Sequence, residues 1–294
     1  MHNIVNQVES RLRQAARYSI GESPEGSYTL SKSPDNNVSL RNCGSETRLQ
    51  YEGGFQMKMK VEVWTDIACP FCYIGKRHIE AGLEQFAHKD QVQIVYKSFQ
   101  LNENAKKDTE HDAYDVLSAR SGMSREQAKA IHEGVAKQAE ADGLDLRFDT
   151  LQLTNTLDAH RLLQFAAQHG KNNEVIELLF KAYFTECKHI GRHETLIAIA
   201  TEAGLDPKTT EEMLTSNQFT DEVRADHLEG VRLGVSGVPF YVIDRKYAVS
   251  GAQPANVFLE ALEKTWAESQ PLTVLNPTSV EAGPVCENGV CKNE

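Results

Sequence analysis

Thr65-Asp66-Ile67-Ala68-Cys69-Pro70-Phe71-Cys72-Tyr73-Ile74-Gly75-Lys76-Arg77 is the stretch on which the fold turns. Ahead of it runs Met59-Lys60-Val61-Glu62-Val63-Trp64, apolar and β-rich enough to predict a strand. From Pro70 onward the chain reads as a helix to about residue 87, so the two cysteines stand at a strand-to-helix turn. Two thiols with two residues between them, at such a turn, are placed for thiol–disulfide exchange. The unpaired amides of a helix start carry partial positive charge and stabilise a thiolate at the first cysteine, Cys69. Cys72, one turn further on, can close a ring with it. Pro70 suits the first turn, where its missing N–H would have found no partner. The same spacing is also half of a zinc site, so the pair alone leaves redox and metal chemistry open.

The downstream context weighs towards redox. Gly234-Val235-Ser236-Gly237-Val238-Pro239 leads into Phe240-Tyr241-Val242-Ile243, a β-branched and aromatic strand. A second short strand, Tyr247-Ala248-Val249-Ser250, a Gly-Ala-Gln-Pro turn and an amphipathic helix from Ala255 to Trp266 follow. The order is βαβ, an insertion, then α-ββ-α. On its own, Pro239 also reads as an ordinary trans proline at the first residue of an edge strand.

These segments together resemble a known family. From about Lys58 to Glu268 the chain is similar to DsbA-family thiol oxidoreductases of the FrnE-like branch, close to 2-hydroxychromene-2-carboxylate isomerases. The resemblance rests on Asp66 to Gly75, Ser98-Phe99-Gln100-Leu101-Asn102, Asn155-Thr156-Leu157-Asp158-Ala159-His160-Arg161-Leu162, Gly234 to Pro239, and Val249-Ser250-Gly251-Ala252-Gln253-Pro254. It implies an α/β, thioredoxin-like fold with an all-helical insertion between the βαβ and ββα halves. It further implies Cys69 as nucleophile, Cys72 as resolving thiol, and a cis Pro239 beside them that leaves Val238 to pair with a substrate chain. Phe71, Ser98, Asn102 and His160 are the further expected substrate contacts, with a helix histidine at the edge of the core as the alternative reading of His160. The isomerase relatives carry serine at the first cysteine position and bind glutathione. Both cysteines stand here, so exchange with protein or small-molecule thiols is favoured, with glutathione as a possible co-substrate and no resident cofactor or metal.

The chain has 294 residues, with 31 Lys+Arg against 42 Asp+Glu and a formal charge of −11. That balance argues against nucleic acid and anionic membrane surfaces as partners, since both need a basic footprint. The N-terminus lacks a basic stretch followed by an apolar one. The expected compartment is therefore the cytoplasm, where disulfides tend to be catalytic or redox-sensing.

Residues 1–56, rich in Ser, Pro and Asn, are expected to be disordered, with Cys43 incidental. Glu52-Gly53-Gly54 can be encoded as a purine-rich ribosome-binding sequence shortly ahead of Met57 and Met59, so initiation at those methionines is a second expectation. Residues 57–108 and 221–268 are assigned to the thioredoxin-like domain and 109–220 to the helical insertion, which forms a cap and a groove beside Cys69. Ser124-Arg125-Glu126-Gln127 reads as a capping-box start, and Asp206-Pro207 opens another helix.

Residues 269–294 read as a flexible tail with a second pair, Cys286 and Cys291, which Asn288-Gly289 can bring together. The expected role is a redox relay to Cys69 and Cys72; an incidental disulfide and a metal half-site are the alternatives. Cys187-Lys188-His189-Ile190-Gly191-Arg192-His193 combines soft and imidazole ligands but reads as a loop between helices. Pro70-Phe71 offers no cation, so Cys69 is expected to lean on the helix start and on Lys76 or Arg77. Two other function classes stay in view: a glutathione-dependent isomerase or transferase, and a metal-binding stress protein.

Overall fold

The computed structural model describes residues 59–269 and, beyond them, only the strand segments 29–32, 38–42, 45–47, 285–287 and 290–292. The chain divides into two compact units, Met1–Met57 and Lys58–Glu294. In the first, β1 (Thr29–Lys32), β2 (Val38–Asn42) and β3 (Ser45–Thr47) form an antiparallel sheet in that order. This departs from the disorder expected across residues 1–56. Leu30, Val38 and Leu40 alternate with polar residues at period two, a strand pattern that the Ser/Pro/Asn-rich composition hides. The remainder of that stretch, Cys43 included, lies outside the described residues.

The second unit is built on β4 (Met59–Thr65), α1 (Pro70–Gln85) and β5 (Val92–Ser98), a βαβ unit whose strands run parallel from Met59 opposite Val92 to Thr65 opposite Ser98. There follow α2 (Ala113–Ser121), α3 (Arg125–Glu140), α4 (Leu157–Gln168), α5 (Asn172–Phe180), α6 (His193–Glu202), α7 (Pro207–Thr215) and α8 (Thr220–Arg232). Then come β6 (Phe240–Ile243), β7 (Tyr247–Ser250) and α9 (Ala255–Ser269). The sheet order is β5-β4-β6-β7, with β6 antiparallel to both β4 and β7. Alternation along β4 sends Val61 and Val63 into the core shared with α1 and α9, and sends Trp64 to the other face. There the ring of Trp64 meets Gly230 of α8, where an added Cβ would lie 2.7 Å from the indole.

The insertion is helical because its starts and stops are well marked. Ser124 caps α3 with a reciprocal bond from Gln127, and Asp206 caps α7 ahead of Pro207. Val175, Ile176, Leu178, Leu179 and Ala182 at i, i+3, i+4 spacing predict a helix from Glu174 to Phe184, and the observed one is shorter. The run to Phe184 leaves α geometry at Phe180 and widens into a π turn, Lys181–Thr185. The wider turn lets Tyr183 and Phe184, adjacent in sequence, both be buried. The insertion is tied to α1 through Glu177 of α5, which receives Lys76 Nζ at 2.6 Å, Arg77 Nη1 at 2.9 Å and the Tyr73 hydroxyl at 2.9 Å.

Near the C-terminus β8 (Val285–Glu287) pairs antiparallel with β9 (Val290–Lys292), placing Cys286 directly opposite Cys291. The Asn288-Gly289 turn and the rest of residues 270–294 lie outside the described residues. Among those described, no helix is long and apolar enough to cross a membrane.

Candidate active site

The turn from β4 into α1 carries both cysteines of the Cys69-Pro70-Phe71-Cys72 motif. Cys69 is the N-cap residue of α1, in extended conformation (φ −94°, ψ 113°), and Pro70 takes the first turn. Cys69 N–H donates to Asp66 O at 3.1 Å, and Cys72 N–H donates to Cys69 O at 3.0 Å, so the turn is braced on both sides of Pro70. Cys69 and Cys72 are both free thiols here, 5% and 3% exposed.

The loop before β6 closes over the pair. The Val238–Pro239 bond is cis. Val238 O accepts the Cys69 thiol at 3.4 Å, and Pro239 O accepts Gly251 N–H at 2.8 Å from the turn after β7. Gly75 makes this closure possible. A Cβ at that position would clash with the Tyr241 hydroxyl and come within 3.0 Å of Pro239 Cγ. Tyr241 itself is buried behind the pair, its hydroxyl without a partner among the described residues.

The two thiols are not equivalent. Burial pushes the Cys72 thiol well up, and Cys69 beside it pushes the same way. The Thr65 hydroxyl and the Asp66 N–H act against this as bonds to the sulfur. Cys72 is thus held as a thiol, while Cys69 stands at the positive end of a helix.

Asp66 organises the approach to the pair. Its Oδ1 accepts Ala68 N–H at 3.3 Å and its Oδ2 accepts Leu101 N–H at 2.8 Å, joining the turn to the loop after β5. His160 Nε2 lies 3.3 Å from Oδ1. Burial pushes this carboxyl up, but the bonds from His160, Leu101 and Ala68 and the nearby imidazole outweigh it and hold Asp66 below the usual carboxylate range.

Several expectations are corrected by these positions. Lys76 and Arg77 do not serve Cys69, because both are bonded to Glu80 and Glu177. Their groove, about 520 Å³ in volume and walled by Glu80, Tyr96 and Glu177 as well, does not have Cys69 among its lining residues. His160 does not line a groove. It is wholly buried on α4 and bonded to Asp66. Ser98 is equally buried at the end of β5, where its hydroxyl accepts from Gln164 Nε2 at 3.3 Å, so it offers nothing to a substrate. Phe71 is 41% exposed and Val238 half-buried, both at the surface of the pair. Asn102 is exposed in the loop after β5, its side chain accepting Asn104 N–H at 3.1 Å. The cluster around Cys187 is dispersed: Cys187 faces Thr150 at 3.0 Å, His189 faces Asp108 at 3.1 Å and His193 faces Asp158 at 3.1 Å. The side chains of Cys286 and Cys291 lie outside the described residues.

Thr65, the Asp66 carboxylate, Tyr241 and Glu177 are the residues that sequence reasoning missed. Asp66 stands inside the quoted motif, but its partner is 94 positions away, and no local spacing announces that pairing.

Comparison with known proteins bears on the same segment. A family model described as a DSBA-like thioredoxin domain matches residues 60–263. The crystal structure of a probable DsbA oxidoreductase from Streptomyces coelicolor shares 38% identity, with a TM-score of 0.69, covering 80% of this chain and 99% of that one. An uncharacterized Bacillus subtilis protein, YwbO, is 24% identical over 208 residues, 70% of this chain and 96% of its own. A 2-hydroxychromene-2-carboxylate isomerase shares the fold at 17% identity and a TM-score of 0.54, covering 71% of this chain and 97% of that one.

Proposed function

The chain belongs to the DsbA-like thioredoxin-domain family, and from that premise we propose that it exchanges disulfides with protein or small-molecule thiols through Cys69 and Cys72. The general activity is thiol–disulfide oxidoreduction by an enzyme of the thioredoxin-like type. The observation that carries the finer reading is the inequality of the two sulfurs: Cys69 caps a helix start, while burial keeps Cys72 protonated.

Acting as an oxidant, the enzyme starts with the Cys69–Cys72 disulfide. A substrate thiolate attacks Cys69 Sγ, the Cys69–Cys72 bond breaks, and Cys72 leaves as a thiolate that takes up a proton. A second substrate thiolate then attacks the substrate sulfur of the mixed disulfide. The substrate disulfide departs, Cys69 leaves as a thiolate, and two electrons have passed to the enzyme. The same steps reversed reduce a substrate disulfide. Phe71 and Val238 form the surface a substrate meets, and Asn102, exposed in the loop after β5, is assigned as a further contact. The family likeness supports Pro239 as part of this site.

The tail pair is assigned a relay role, exchanging with Cys69 and Cys72. The pairing of Cys286 opposite Cys291 supports the formation of a disulfide between them, because facing positions of an antiparallel ladder fall within the Cα separation such a bond requires. Glutathione is proposed as a co-substrate and the cytoplasm as the compartment, where such disulfides are transient.

The test is insulin reduction by dithiothreitol with wild type, Cys69→Ser, Cys72→Ser and the Cys286→Ser/Cys291→Ser double variant. The reading expects turnover in wild type, loss in both single variants and slowed turnover in the double. Activity untouched by Cys72→Ser would move the reading to glutathione-dependent isomerase or transferase chemistry. An unaffected double variant would remove the relay alone.

A further inference from the structure

His160 is a wholly buried histidine on the helical insertion, and its one side-chain hydrogen bond among the described residues reaches the turn that carries the thiols. Asp66, which receives it, meets the pair in two ways and ties down the turn in a third. Its carbonyl takes Cys69 N–H, its N–H faces Cys72 Sγ, and its carboxylate ties Ala68 and Leu101. Since the other partners of that carboxylate are N–H donors, the proton on the imidazole is assigned to Nε2. The opposite ring nitrogen, Nδ1, has no partner among the described residues. The ring therefore addresses Asp66 and nothing else. A histidine kept in this state does not behave as filling for an apolar core, where Leu or Phe would serve without a polar atom to satisfy.

We propose that His160 is a positioning residue for the exchange reaction, holding Asp66 as a buried carboxylate so that the Asp66 main chain presents Cys69 and Cys72 in fixed register. The proposal rests on the exchange reading above. It also gives the insertion a part in the chemistry: α4 supplies the donor that the thioredoxin-like half lacks. Without that donor, two N–H bonds face the full burial cost of the carboxyl, and Asp66 rises into the range where it titrates. The titratable groups around Asp66 are His160 from α4, Tyr183 from the π turn after α5 and Cys72 from α1. Tyr183 is pushed up by burial and stays protonated across the neutral range, as does Cys72. A new step near neutrality in the behaviour of Cys69 is therefore attributable to Asp66.

The experiment is the pH profile of Cys69 alkylation by iodoacetamide, followed by mass spectrometry at that residue in the reduced full-length protein. Alkylation reads the thiol and not turnover, so a failure of the exchange reading, seen as wild type without insulin reduction, is separable from a failure here. His160→Gln keeps an N–H donor near the position of Nε2, and His160→Leu removes it. Wild type and His160→Gln are expected to show one titration step. His160→Leu is expected to show a second step that wild type lacks, with alkylation slowed roughly tenfold below it. If His160→Leu does not fold, Asp66→Asn serves as the second variant. It removes the charge that His160 holds, so Cys69 alkylation is expected to be slowed roughly tenfold at every pH with a single step, and alkylation equal to wild type in Asp66→Asn overturns the proposal. A single unshifted step in His160→Leu overturns the proposal. So does equal slowing in His160→Leu and His160→Gln, which is what a merely structural role produces.

Discussion

At the scale of the residue, the site depends on close approaches that only certain side chains permit. Gly75 lies where α1 meets Pro239 and the Tyr241 hydroxyl, with no room for a methyl group. Gly75→Ala is expected to destabilise the protein by roughly 1–3 kcal/mol through overpacking. It should also displace Pro239 from Cys69 and slow insulin reduction. Urea unfolding and the insulin assay, run on the same preparation, check both; an alanine variant equal to wild type in each would show that the contact yields freely. Much at this scale was legible. Cys69, Cys72, Pro239 and Gly75 all stand in short motifs whose spacing is set by one turn of chain. The role of Asp66 and the burial of His160 and Ser98 were not, because they depend on which side of a folded element faces inward. His160 sits on a helix whose pattern marks it only as a core-edge position.

At the scale of the element, Glu177 on α5 is the staple that fastens the insertion to α1. Burial pushes its carboxyl up, but the bonds from Arg77 and Lys76 outweigh this and hold it at about 2, against an ordinary 4.5. A depressed carboxyl stabilises the folded state above its unfolded pKa, and that contribution is lost as pH falls through the folded value. The window is therefore about pH 4.5 down to about 2. The shift corresponds to an effect of roughly 3 kcal/mol. Glu177→Gln should lower stability at pH 7 and flatten the pH dependence across that window, measured by urea unfolding between pH 2 and 7. A variant that keeps the wild-type acid slope would assign the acid sensitivity elsewhere. Strand and helix identities were readable here because composition and caps agreed: the β-rich run for β4, Ser124 and Asp206 for two of the helix starts. The π turn after α5 was not, since its register answers to the burial of Tyr183 and Phe184, a tertiary demand.

At the scale of the whole molecule, a βαβ half and a ββα half are joined through an inserted helical body whose α4 and α5 each reach back to the turn that carries Cys69 and Cys72 and to its helix. Asp66–His160 and Lys76–Glu177 are separated in sequence by 94 and 101 positions, so neither tie can be seen before the chain is folded. The order of elements was visible in the sequence, because strands, turns and caps declare themselves locally. The strands within residues 1–56 were hidden by composition, and the pairing of Cys286 opposite Cys291 was visible only as a turn signal. The central claim, that Cys69 attacks and Cys72 resolves, is tested most directly by trapping. Cys72→Ser, incubated with oxidised glutathione and examined by intact mass and peptide mapping, is expected to hold one glutathione in mixed disulfide with Cys69, stable where wild type releases it. An unmodified Cys69, or an adduct that wild type retains equally well, would contradict the account.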